Sequence, residues 1–272
     1  MNQIRIDGTL FNYRLDGRED RPLVVLSHSL ATSHEMWGYQ LPLLARHFRV
    51  LSYDMRGHGA SEAVGQELSG GYTLEMLADD VVNLTAKLGF SRFHFVGLSV
   101  GGMIGQVLAL RHGKVVDRLV LSSTGTGKPG PEARAMWDER LNQVRKSGPA
   151  SLAEGTLLRW FSADFMKRAP HVIEWIDGLI RATPSAGYIG CGIAIKEMSI
   201  APEALGTLRQ PTLVIAGEKD PGAPVAGAEA LRSRIQGAQL TVIPDAMHLC
   251  NIEKAHQFNE ALLGFLLAGR TD

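Results

Sequence analysis

The chain has 272 residues, is 45% hydrophobic and 21% charged, and carries 28 basic against 28 acidic side chains, so its formal net charge is zero. A chain of this length buries roughly three quarters of its unfolded surface, enough for a core without disulfides or a structural metal. With no basic excess and no run of five like charges, the electrostatic footprint of a nucleic-acid or anionic-membrane binder is missing. In chain order, the apolar runs predict strands at Phe11–Leu15 and Leu23–Ser27, a helix at Glu35–His47, a strand at Arg49–Tyr53 and a helix at Leu74–Leu88. A strand at Phe93–Gly97, a helix at Val100–Arg111 and a strand at Arg118–Ser122 follow. The rhythm then breaks. From Gly125 to about Arg209 no strand pattern occurs, and the segment opens with Gly125-Thr126-Gly127-Lys128-Pro129-Gly130-Pro131, a flexible exit from a sheet. Strands at Thr212–Ala216 and Leu240–Ile243 and helices at Ala226–Ile235 and Glu253–Leu267 complete the chain. Alternating strands and crossover helices predict an α/β fold with a mostly parallel central sheet flanked by helices. The expected organisation is a core of residues 1–124 and 209–272 interrupted by a helical lid over 125–208.

The strongest chemical signal is Gly97-Leu98-Ser99-Val100-Gly101, a G-x-S-x-G run between a predicted strand and a predicted helix. A serine on so sharp a turn needs glycines on either side, because strand and helix approach each other closely there. The turn lifts Ser99 to a helix N-terminus, where free amides and the helix dipole favour a developing oxyanion. A serine hydroxyl is a weak nucleophile until an imidazole accepts its proton, so a histidine and an orienting acid are expected downstream, in the order Ser, acid, His. His248 follows the last predicted strand and can overhang the carboxyl edge of the sheet, whereas His112, His171 and His256 read as helix-end, lid or solvent-face residues. Glu218 and Asp220 follow the preceding strand, and Asp220 is the chosen acid. Asp54 also follows a strand but precedes Ser99, so its expected role is to order the glycine-rich loop Gly57-His58-Gly59. The oxyanion donors are expected to be the backbone N–H groups of Leu30, in the loop after an early strand, and Val100. His28 is expected to support that loop.

Other chemistries find little support. Gly125 to Gly130 formally matches G-x-G-x-x-G, but it is late in the chain, is broken by prolines and leads into a helical region, and Lys128 fails the P-loop pattern. No H-E-x-x-H or comparable ligand set occurs, so no metal is expected. Cys191 and Cys250 show no paired spacing and read as buried apolar fillers, which fits a reducing cytoplasm. The first eight residues hold no apolar signal core, and no stretch approaches the roughly 18 apolar residues of a membrane span.

With these residues placed, the chain resembles the α/β-hydrolase superfamily over essentially its whole length. Within it, Ser29-Leu30-Ala31-Thr32 with Met36-Trp37, Tyr53 to Ser61, Gly97 to Met103, Arg159-Trp160-Phe161, Gly187-Tyr188 and His248 to Glu253 resemble 3-oxoadipate enol-lactonases. Many of those enzymes have Asn where this chain has His28 and Gly where it has Ala31. The resemblance implies cofactor-free hydrolysis of the enol-lactone to 3-oxoadipate in aromatic-compound catabolism, with Ser29, Trp37, Arg159 and Trp160 as substrate-binding residues. A substrate of that class carries a carboxylate, which under a lid needs a cationic partner; Arg159 leads, with Arg134 and Arg140 as alternatives. The competing expectations are a carboxylesterase or a carbon–carbon bond hydrolase using the same three residues, or a catalytically silent ligand-binding protein. A dehalogenase or an epoxide hydrolase is disfavoured, since those relatives place Asp where this chain has Ser99.

Overall fold

A computed structural model describes residues 2–63 and 71–269, so Met1 and residues 270–272, the two ends of the expected core, lie outside it. The chain opens with β1 (Asn2–Ile6) and β2 (Thr9–Asp16), followed by β3 (Leu23–Ser27), α1 (Leu41–Leu44), β4 (Arg49–Tyr53), α2 (Leu74–Lys87), β5 (Phe93–Leu98), α3 (Val100–His112) and β6 (Val116–Ser122). Then come α4 (Pro131–Ser147), α5 (Ala153–Trp160), α6 (Ala163–Arg168), α7 (Pro170–Ala182) and α8 (Ser185–Lys196), with no strand among the described residues of this stretch. β7 (Thr212–Gly217), α9 (Val225–Arg234), β8 (Gln239–Ile243), α10 (Cys250–Glu253) and α11 (Ala255–Leu267) complete it. The eight strands form one sheet in the order β1-β2-β4-β3-β5-β6-β7-β8. Only β1–β2 and β2–β4 pair antiparallel, so the sheet is mostly parallel, as the alternation of elements predicts. No described helix is long and apolar enough to cross a membrane.

Two expectations need correction. β1 was not foreseen, although Asp7-Gly8 sits between it and β2 with φ of 47° and 82° at the two positions, the backbone of a two-residue hairpin turn. The helix expected over Glu35–His47 is instead a single 3-10 turn at His34–Trp37 followed by the four residues of α1. Gly38 and Pro42 break the periodicity, and the His34 amide is drawn away to the Asp54 carboxylate at 2.8 Å.

β3, β5 and β7 are buried along their whole length, because helices cover both faces of the parallel part of the sheet. Each Val or Leu in them contributes about 1.5–3 kcal/mol through removal from water. β3 pairs with β4 on one side and β5 on the other, and Ser27 lies in register with Gly97. The chain therefore changes direction across the sheet at β3 and β5, which opens a crevice at their carboxyl ends. The loops carrying Leu30 and Ser99 leave the sheet side by side at that crevice. α3 seats closely on β5 and the β3 loop: a Cβ on Gly97 would lie 2.2 Å from the Gly101 carbonyl oxygen, and one on Gly101 would lie 2.3 Å from that of Ser27.

Beneath the loop after β3 is a buried polar cluster. The Asp54 carboxylate accepts from the His34 backbone N–H at 2.8 Å, His34 Nδ1–H at 2.7 Å, Asn12 Nδ2–H at 2.8 Å and the Ala60 N–H at 3.0 Å. Burial alone would raise this carboxyl, but the hydrogen bonds and charge of His34 hold it well below the usual range. Asp54 thus orders the loop that contains Gly57-His58-Gly59. His28 Nδ1–H donates to the Ser29 carbonyl at 2.8 Å, and Nε2 accepts the Met55 N–H at 2.9 Å, so the imidazole braces one loop against the other. Burial pushes His28 down to about 3 and His58 down to about 4. Cys191 and Cys250 are free and fully buried, and burial pushes their thiols up to about 12 and about 11.

Two outcomes follow from this packing. Gly101→Ala should destabilise the fold by about 3 kcal/mol through overpacking against backbone, whereas Gly264→Ala, on α11 with nothing within 4 Å of the added carbon, should stabilise it by about 0.5–1 kcal/mol; denaturant melts of both variants check the pair. The second concerns acid. Because His28 and His58 have folded values below their ordinary 6.5, the unfolded chain binds protons that the folded chain refuses, and stability falls as pH drops from about 6.5 towards about 4. Each group contributes a slope of about 1.4 kcal/mol per pH unit in that window. His58→Gln should flatten the slope by that amount, and an unchanged slope would mean that His58 takes up its proton in the folded state.

Candidate active site

Ser99 stands between β5 and α3 with φ of 59° and ψ of −117°, a conformation that non-glycine residues rarely hold. Its backbone is pinned from both sides. The Ser99 N–H donates to the Ser122 carbonyl at 2.9 Å, and its own carbonyl accepts from Gly102 N–H at 2.9 Å, Met103 N–H at 3.1 Å and Thr124 Oγ1–H at 2.8 Å. The surrounding structure thus over-determines the strained turn. The side chain lines a cavity of about 310 Å³ at the carboxyl edge of the sheet.

His248 and Asp220 line the same cavity from the loops after β8 and β7. His248 Nδ1–H donates to Asp220 Oδ2 at 2.7 Å, while Asp220 Oδ1 accepts the Gly222 and Ala223 N–H groups at 2.8 and 3.1 Å. These bonds fix the orientation of the carboxylate. With a carboxylate accepting at Nδ1, the neutral imidazole presents a bare Nε2 as a base. Glu218 is elsewhere: it is exposed, and its Oε2 accepts the Asp245 N–H at 3.0 Å. Asp54 is enclosed in the cluster beneath the β3 loop. His256 lies 82% exposed on α11, as its expected solvent-face position implies.

Leu30 lines the cavity from the loop after β3, and Val100 is the first residue of α3. Among the described residues no acceptor stands against either amide, which leaves both free for an external oxygen at a helix N-terminus. Ala31 holds φ of 61°, a conformation in which glycine is at ease. The Ser29 hydroxyl also lines the cavity and is buried without an internal partner among the described residues.

The expected substrate contacts divide. Trp160 lines the cavity and stacks on the His248 ring, with centroids 6.2 Å apart and planes 21° apart. Arg159 is present as well, its Nη2–H donating to Thr156 Oγ1 at 3.1 Å. Trp37 is a correction: it is 1% exposed, packs against Phe258 at 6.3 Å and does not line the cavity. The 3-10 turn that carries it rotates its ring into the core beside α11. Arg134 is also away from the cavity, bound to Glu197 and the Lys196 carbonyl. Arg140, by contrast, lines the cavity from α4 and lies over the Trp137 ring at 5.3 Å. Neither Arg140 nor Arg159 has a carboxylate partner among the described residues. Burial and the neighbouring Arg140 charge both lower Arg159, and burial raises the Tyr188 phenol beside them while the two guanidiniums oppose it. Met136, Trp137 and Tyr188 also form the cavity wall, beyond the contacts expected from the sequence; the 136/140 helical spacing on α4 is the signal that marks this face.

A hydroxyl on a strained turn, a carboxylate-oriented imidazole, the Leu30 loop and two guanidiniums without carboxylate partners among the described residues line one cavity. Such a set can carry out acyl transfer on an anionic ester.

Known proteins share this architecture. Residues 22–167 match the model of the alpha/beta hydrolase fold family, and residues 192–272 match that of TAP-like proteins. The chain is 34% identical over 251 residues to 3-oxoadipate enol-lactonase 2 of Acinetobacter baylyi, covering 92% of this chain and 91% of that one. It is 32% identical to a Caulobacter sp. protein bearing the name of the carbamate hydrolase RutD, over 96% of each chain. The crystal structure of the enol-lactonase from Burkholderia xenovorans LB400 superposes with a TM-score of 0.91 at 38% identity, over 97% of this chain and 99% of that one. The chain belongs to the α/β-hydrolase family and is a hydrolase acting on ester bonds.

Proposed function

We propose that the protein hydrolyses 3-oxoadipate enol-lactone to 3-oxoadipate in aromatic-compound catabolism, through an acyl-enzyme on Ser99. His248 Nε2 takes the Ser99 proton as Oγ attacks the lactone carbonyl, and Asp220 stabilises the imidazolium that forms. The developing oxyanion is received by the amides of Leu30 and Val100. Collapse of the tetrahedral intermediate expels an enol oxygen, a better leaving group than an alkoxide. His248 returns the proton, and tautomerisation of the enol to a ketone draws the ring opening forward. Water then attacks the acyl-enzyme with His248 again as base, and the acid leaves. The segment 125–208 serves as a lid that sets the substrate class.

The observation that carries this reading is the pair Arg140 and Arg159, two guanidiniums without carboxylate partners among the described residues, in the cavity of Ser99. A cavity for neutral esters would have no use for two partly desolvated cations, whose burial costs energy until an anion arrives. Tyr188 on α8, which lines the same cavity, offers a further hydrogen bond to that anion.

A spectrophotometric assay with enzymatically generated enol-lactone, run beside neutral aryl esters and a carbamate, tests the assignment. The lactone should be preferred in kcat/KM. Arg140→Ala and Arg159→Ala should each weaken its turnover by about 2–4 kcal/mol in transition-state binding, and change hydrolysis of a small neutral ester by less than about threefold. Preference for a neutral ester or a carbamate, or equal losses on both substrates, would replace the enol-lactone reading and leave the arginines a packing role.

A further inference from the structure

One buried carboxylate near the cavity takes no part in the chemistry above. Glu253, the last residue of α10, is 6% exposed and has no ion-pair partner among the described residues. Its Oε1 accepts from the Ser162 N–H at 3.1 Å and the Ser162 hydroxyl at 2.5 Å, and its Oε2 accepts from the Met247 N–H at 2.8 Å. Ser162 caps α6 in the lid, two residues beyond Trp160. Met247 immediately precedes His248. The carboxylate therefore joins the lid to the histidine loop at two points that flank the Trp160–His248 stack. A parallel tie runs from the Leu249 N–H to the Trp160 carbonyl at 3.3 Å.

We propose that Glu253 is a positioning residue for His248, holding the Trp160 ring against the imidazole; this rests on the reading of His248 as the base. Burying an unpaired carboxylate is costly, and a neutral filler would do if only packing were needed. Both of its oxygens face donors, so an acceptor is required at each. A glutamine at this position satisfies one side and opposes an N–H with an N–H on the other. The consequence reaches the reaction because the imidazole becomes an imidazolium at each proton transfer, and the indole face it meets favours that cation. The other titratable or charged groups that line the cavity with His248 are Asp220, bonded to it from the loop after β7, and Arg140, Arg159 and Tyr188 from the lid, with the Ser99 hydroxyl at the elbow. None of them is altered when Glu253 is changed.

Glu253→Gln in the full-length protein, assayed with p-nitrophenyl acetate over a pH series, tests this. The expected result is a fall in kcat of about tenfold with KM little changed. The acid limb of kcat/KM should move to lower pH by several tenths of a unit, since an imidazolium that loses its indole partner gives up its proton more readily. A folded variant with the wild-type kcat and pH profile overturns the proposal, whatever its melting temperature. If Glu253→Gln does not fold, Ser162→Ala removes one donor and keeps the amide, and should move the profile the same way by less; an unchanged profile there is equally decisive. His248→Ala in parallel separates the two levels. Activity lost there but untouched by the Glu253 and Ser162 changes overturns the Glu253 role alone, whereas activity retained in His248→Ala overturns the base assignment and the Glu253 role with it.

Discussion

Gly97 and Gly101 meet at van der Waals distance, and the carbonyl of Ser27 presses on the second of them. That contact lets α3 begin with only Ser99 between it and the strand. Ser99 takes a positive φ, at a cost of about 1–3 kcal/mol that three backbone hydrogen bonds, the Thr124 hydroxyl and the buried strands around it sustain. Everything chemical in the molecule is placed relative to this turn. The same register that sets Ser27 beside Gly97 brings the Leu30 loop next to the serine, and β7 and β8 deliver Asp220 and His248 to the same edge.

Polarity is distributed with equal care for position. Beneath the Leu30 loop, His28 and His58 are kept neutral by burial, so their hydrogen bonds brace loops without adding charge under the site. Asp54 stays ionised in that cluster because it collects four donors. Above the sheet, a chain of zero net charge sets two guanidiniums in one cavity. The positive potential is therefore local, built from α4, α5 and the N-terminus of α3.

Much of this was legible in the chain because the signals are local. The buried strands are short β-branched and leucine runs, and G-x-S-x-G between a strand and a helix implies its own strained geometry. Asp220 and His248 could be placed by the strands that precede them. What escaped depended on tertiary context or on a weak pattern. β1 has only Ile4 and Ile6 to mark it, and the Asp7-Gly8 turn carried more information than its hydrophobicity. Over 35–47 the apolar spacing looked helical, yet Gly38, Pro42 and the claim of Asp54 on the His34 amide won. Trp37 adjoins a cavity loop in sequence but faces Phe258 in space. Choosing among Arg134, Arg140 and Arg159 required knowing that Glu197, 63 residues along the chain from Arg134, pairs with it, while the other two line the cavity.

The central claim is that the strained serine is the covalent carrier of the acyl group. Rapid-quench mixing of the enzyme with the enol-lactone or an activated ester, followed by proteolysis and mass spectrometry, tests it most directly. An acyl adduct should appear on the peptide containing Ser99 within the first turnover and be absent in Ser99→Ala. Turnover with no adduct on Ser99, or an adduct on another residue, would contradict the account.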